Sequence, residues 1–70
     1  MTEVIQNNVL ELRTQKGVTQ EELADALGVS RQTVIALERG RYTPSVLLAL
    51  KVAHYFKRTV EDIFTIANEK

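Results

Sequence analysis

Residues 19–40, TQEELADALGVSRQTVIALERG, carry two helix starts and two helix stops. Thr19 with Glu22 three positions on is a capping box: the hydroxyl accepts from the Glu22 backbone N–H, and the Glu22 carboxylate reaches back. Leu23, Ala24 and Leu27 then fall on one helical face, with Gln20, Glu21 and Asp25 outside. Gly28 ends this helix, because a left-handed residue costs least there. Ser30 caps a second helix, whose Val34 and Leu37 face inward and which Gly40 stops. Val29, apolar inside the turn, is expected to plug the angle between the helices. Ala24 is small where two helices joined by so short a turn must approach closely. The spacing thus predicts two short helices pinned by a four-residue turn, with Arg31, Gln32 and Thr33 opening the second. A helix end offered in this way has the geometry needed to enter the major groove of DNA.

Working outward, a first helix is expected over about 8–16, capped by Asn7 or Asn8 and stopped by Gly17. Val9 and Leu12 form its inward face, and Leu10 points elsewhere. Arg41–Pro44 reads as a loop, since Pro44 disfavours a helical Thr43. Ser45 then caps a helix over Val46–Phe56, and Thr59 with Asp62 opens a short one through about Ile63. Four such start signals predict an all-α core. The β-like stretches are Val4–Gln6 and Phe64–Ala67, each too short to be stable alone.

This pattern resembles the Cro/repressor-type (XRE-like) helix-turn-helix family in its short, stand-alone form. The residues that carry the likeness are Leu12-Arg13, Thr19 to Ala24, Leu27 to Val34, Leu37 to Gly40 and Pro44-Ser45, so that it spans about 9–64. The resemblance implies a five-helix repressor-like DNA-binding bundle in which helices 2 and 3 form the motif and helix 3 reads bases. It also implies a small two-stranded antiparallel sheet made from the N- and C-terminal segments. Residues 1–70 are expected to be one domain, with the motif at about 19–40 and a core and dimerisation part at 45–67.

Composition sets the limits of this reading. Seventy residues leave no room for a second, ligand-sensing domain. A chain of this size buries only about 60% of its unfolded surface and is marginal alone, so an oligomer or close packing is expected to help. An apolar content of 44% with 26% charged residues is ordinary for a globular chain. Zero cysteines exclude disulfides and a thiolate metal site, in keeping with a reducing, cytoplasmic and nucleoid-associated setting. MTEVIQNN lacks a basic leader and a long apolar run, so neither a signal peptide nor a membrane span is expected.

Formal net charge is zero, whereas DNA binding draws on Lys and Arg. Distribution counts more than the sum. Arg31, Arg39 and Arg41 bracket helix 3 against Glu38, with Arg13 and Lys16 on helix 1. Glu3, Glu11, Glu61, Asp62 and Glu69 lie towards the two ends of the chain. With both termini opposite helix 3, the molecule would be electrically polarised.

The helix at 46–56 is apolar nearly all round and so requires burial on more than one side. One side is its own core. The other is expected to be a second copy, through Leu47, Tyr55, Val60, Ile63 and Ile66. Two-fold symmetry would set two reading helices about 34 Å apart, matching successive major grooves. The alternative is a helix central to a tight monomeric bundle.

Candidate base contacts are Arg31, Gln32, Thr33 and Ala36. Arg suits guanine O6 and N7, Gln suits adenine N6 and N7, and a Thr or Ala methyl can meet the methyl of thymine. Outside the motif the same residues would be an ordinary solvated helix start. Backbone contacts are assigned to Gln20, Ser30, Arg39, Arg41, Arg13 and Lys16. For Gln20 the helix N-terminus adds its own pull on a phosphate, and Ser30 is a cap first. The resemblance pairs Arg13 with Glu38, tying helix 1 to helix 3. Ala24, Gly28 and Glu38 are structural. Lys16 satisfies a helix dipole as readily as it meets a phosphate.

His54, the single histidine, cannot build a zinc site alone. The acidic pairs Glu21-Glu22 and Glu61-Asp62 sit in first turns, where negative charge is favoured, so neither a metal, nor a cofactor, nor catalysis is indicated. The expected function is a sequence-specific, double-stranded-DNA-binding transcriptional regulator, a repressor, acting as a homodimer on an inverted-repeat operator. Two alternatives stand beside it: the DNA-binding antitoxin or controller of a two-gene system, and a helical protein-interaction adaptor.

Overall fold

Side-chain hydroxyls start four of the helices. Those of Thr19, Ser30, Ser45 and Thr59 accept from the N–H groups of Glu22, Thr33, Leu48 and Asp62. Each satisfies a donor that a helix start leaves without a partner. Thr19 and Thr59 both complete the reciprocal box, with Glu22 and Asp62 reaching back. The computed structural model describes residues 2–69. In order they form β1 (Thr2–Asn7), α1 (Val9–Lys16), α2 (Gln20–Leu27), α3 (Arg31–Glu38), α4 (Val46–Phe56), α5 (Val60–Ile63) and β2 (Phe64–Glu69).

One buried cluster draws on every helix: Val9 and Leu12 of α1, Leu23, Ala24 and Leu27 of α2, Val34 and Leu37 of α3, Leu48, Val52 and Ala53 of α4, and Ile63 of α5. Val29 packs against it from the turn, as its apolar character in that place requires. Gly28 adopts φ +73°, while a Cβ built there would meet only Lys51 Nζ at 3.8 Å. The need for glycine is therefore conformational and not a matter of space.

The two ends of the chain pair as an antiparallel sheet, in a register that sets Ile5 opposite Ile66 and Val4 opposite Ala67. Both strands are longer than their β-like cores, running to six residues each. Neither is stable alone. Pairing satisfies the backbone groups that face the partner strand, and the Asn8 N–H continues the join by donating to the Ile63 carbonyl at 3.2 Å. Phe64 packs against the core, which fastens the start of β2 to the bundle.

The close approach of α2 to α3 makes a direct prediction. Ala24 is buried, whereas Ala26 in the same helix is exposed. Ala24→Leu should overpack the joint and cost about 1–3 kcal/mol, read as a lower urea midpoint. Ala26→Leu should stay within about 0.5 kcal/mol of the parent.

Candidate nucleic-acid interface

Helix α3 buries Val34 and Leu37 and turns its other face outward. Arg31 and Gln32 are exposed at its first turn; Thr33 and Ala36 are half-buried. Ser30 Oγ accepts from the Thr33 N–H at 3.1 Å and lies 3.0 Å from Thr33 Oγ1, so the Thr33 hydroxyl is engaged in the cap. Its methyl is what remains for apolar contact. A cleft of about 340 Å³ runs along this side of α3, lined by Leu10, Gln20, Arg31, Ile35, Glu38 and Arg39. A second, of about 400 Å³, gathers Arg13, Thr19, Gln20, Glu21 and Arg31. Arg31 therefore stands where the two clefts meet. Ile35 and Leu10 give the first cleft an apolar wall that the residue-by-residue reading misses. The signal for Ile35 is its spacing: it stands four positions from both Arg31 and Arg39, on one face.

Behind this face lies the ion pair that the family pattern leads one to expect. Arg13 Nε donates to Glu38 Oε2, and Arg13 Nη2 donates to Oε1 at 3.4 Å. The side chains are 15% and 4% exposed. Gln20 Nε2 adds a third donor to Glu38 Oε1 at 3.0 Å, and Arg13 Nη1 donates to the Val18 carbonyl at 2.9 Å. One carboxylate thus joins α1, α2 and α3. The same bonds engage three of the five N–H groups of Arg13, and turn the amide of Gln20 inward in the free protein.

Beyond α3, Arg39 and Arg41 are exposed. Gly40 between them takes φ +72°, and the Arg41 N–H donates to the Ala36 carbonyl at 3.0 Å. Tyr42 lines a separate small cleft with Gly28, Val29 and Leu47, so its ring belongs to the loop side. Among the described residues there is no grouping of His, Cys, Asp or Glu that could hold a metal ion. No described helix is long and apolar enough to cross a membrane.

Comparison with known proteins agrees with this geometry. Residues 9–63 match the helix-turn-helix family. The chain belongs to that family. It is 48% identical over 65 residues to an HTH-type transcriptional regulator of Bacillus subtilis, covering 93% of this chain and 98% of that one. A regulator of the same type from Methanocaldococcus jannaschii is 46% identical over 66 residues, covering 94% of this chain and 100% of that one. The crystal structure of the restriction-modification controller protein C.AhdI from Aeromonas hydrophila superposes with a TM-score of 0.71 at 37% identity, over 77% of this chain and 82% of that chain.

Against the helix-turn-helix frame, three sequence expectations need correction. Lys16 is not brought to the cationic face: its Nζ sits 5.2 Å from the centroid of the Tyr55 ring, in a groove shared with Lys57 and Arg58. It follows Leu12 by one helical turn and so points towards α4, whereas Arg13 points towards α3. Ile63 is 1% exposed and belongs to the core of its own chain, so it has no side chain to offer a partner. Nor do the termini lie opposite α3. Val4–Asn7 of β1 face Glu38–Gly40 across a cleft beside the end of that helix. The side chain of Glu69 lies outside the described residues.

The residues named for a dimer seam divide accordingly. Leu47 is 64% and Ile66 74% exposed, and Val46 and Leu50 extend the open apolar stripe on α4. Tyr55 and Val60 pack against the chain's own core. His54 is exposed.

The Glu38 junction yields a stability prediction. Glu38→Ala strands a largely buried guanidinium and should cost about 3–5 kcal/mol, whereas the apolar pair Arg13→Met with Glu38→Leu should recover most of that loss. Chemical denaturation of the parent and these two variants decides it; an apolar pair no more stable than Glu38→Ala would disprove the coupling.

Proposed function

We propose that this chain is a transcriptional regulator that binds an inverted-repeat operator in duplex DNA as a homodimer, with α3 in the major groove. The observation that carries the proposal is the exposed Arg31–Gln32 end of α3, held rigid by a buried carboxylate at the other end of the same helix. A reading group gains specificity only if its position is set before contact. Arg31 and Gln32 take guanine and adenine edges, and the methyls of Thr33 and Ala36 meet thymine. Gln20 at the α2 N-terminus, Ser30 at the α3 cap, and Arg39 and Arg41 beyond α3 take phosphates. Arg13 contributes the two N–H groups that Glu38 and the Val18 carbonyl leave over. The zero net charge limits binding to unrelated DNA, so that discrimination rests on the reading end.

A second copy covers the exposed apolar stripe of Val46, Leu47 and Leu50 on α4 and supplies the two-fold symmetry of the operator; Ile66 of β2 is likewise exposed. Bound across a promoter, the dimer represses by occupancy within the nucleoid. The likeness to C.AhdI supports a second reading of the same chemistry, in which the chain is the controller of a neighbouring gene.

Selection of bound sites from random duplex DNA gives operator, spacing and symmetry together. On that operator, Gln32→Ala should cost about 1–3 kcal/mol and relax preference at one base pair. Arg39→Ala should weaken all sequences alike and lower the salt slope by about 1. Equal, sequence-neutral losses from both would overturn the roles, and no binding at low salt would favour a protein-interaction adaptor. Sedimentation at micromolar concentration should give a dimer, which Leu47→Lys shifts to monomer. A parent chain sedimenting only as monomer ends that part of the proposal.

A further inference from the structure

Asn7 ends β1, and its amide is bonded to two different helix ends. Asn7 Oδ1 accepts from the Val9 N–H at 3.0 Å, in the first turn of α1. Asn7 Nδ2 donates to the Leu37 carbonyl at 2.9 Å, in the last turn of α3. Asn8, the residue immediately before α1, makes no capping bond with its side chain. Its Nδ2 donates instead to the Asp62 carbonyl at 3.3 Å. Adjacent asparagines thus fasten one corner of the chain in two directions, Asn7 to the reading helix and Asn8 to α5.

The carbonyls of a last helical turn have no partner further along the helix and must be met from outside. Leu37 O receives the Gly40 N–H at 3.1 Å as well as the Asn7 amide. The two clamps on α3 differ in kind. Glu38 is held through its side chain, sideways, which by itself leaves the helix able to pivot about that point. Leu37 is held through its main-chain carbonyl, which points along the axis. Together they fix both the tilt of α3 and its position along its own axis.

We propose that Asn7 is a positioning residue for DNA reading, which sets α3 so that Arg31, Gln32 and Arg39 meet the duplex in one register. This inference rests on the DNA-binding function proposed above. The chemistry calls for an amide: one planar group must present an acceptor to Val9 and a donor to Leu37 at once. An aspartate keeps the acceptor and loses the donor. A serine keeps a short acceptor and cannot reach Leu37.

The test compares the parent with Asn7→Asp and Asn7→Ser, using backbone amide exchange without DNA and affinity for the selected operator against unrelated duplex of equal length. In both variants, exchange at Gly40 and Arg41 should quicken about threefold to tenfold, the size of one hydrogen bond, while amides within α2 stay as they were. Operator affinity should fall by a similar factor and affinity for unrelated duplex should not, so the ratio of the two falls. A purely structural role would lower the melting midpoint and both affinities in parallel. An unchanged affinity ratio in a folded variant overturns the inference, and Asn7→Ser carries the comparison if Asn7→Asp does not fold. If the parent itself prefers no duplex, the DNA reading has failed instead. The exchange rates then still decide whether Asn7 holds α3.

Discussion

The Glu38 carboxylate is the constraint on which the rest of this structure depends. It is almost wholly withdrawn from water and receives donors from Arg13 on α1 and Gln20 on α2. A buried charge of this kind is tolerated only while its partners stay in place. It therefore acts as a condition on the geometry: α1, α2 and α3 meet in one arrangement or the carboxylate is stranded. The apolar core alone could accept small shifts between short helices, since packing is less directional than a set of charge-assisted hydrogen bonds.

The outer surface follows from that junction. With the last turn of α3 held, its first turn projects Arg31 and Gln32 into solvent, where rigid positioning gives a hydrogen-bonding side chain its selectivity. Gln20 connects the two regions, lining both clefts while it donates to Glu38. Any group that bonds to Gln20 at the α2 N-terminus would thus meet a side chain already coupled to α3. The sheet formed from both chain ends belongs to the same system, because Asn7 carries its last residue pair to the end of α3.

Much of the fold is legible in the order of residues, and the reason is distance along the chain. The hydroxyl caps at Thr19, Ser30, Ser45 and Thr59 act over three residues, and the left-handed glycines at 17 and 28 act on the turn beside them. Helix α4 begins and ends where Ser45 and the 46–56 apolar run place it. The Arg13–Glu38 pair, 25 residues apart, is legible only through family likeness, since no local signal selects one partner from the other charges. Between Asn7 and Asn8 the sequence could not choose: either side chain can cap α1, and only the nearness of Leu37 and Asp62 assigns them different tasks.

By itself, then, the sequence determined five short helices, the hydroxyl caps of four of them, the helix-turn-helix they build and the face on which Arg31 and Gln32 stand. These are local outcomes, governed by periodicity and by hydrogen bonds that span a few residues. Tertiary structure alone decided that Lys16 lies over Tyr55 and away from Arg31, that Ile63 is spent in the core, and that β1 runs beside the end of α3. Each depends on where an element from elsewhere in the chain comes to rest. A cation, an isoleucine or a strand edge carries no mark of which neighbour will reach it first; packing the helices around Glu38 makes that choice.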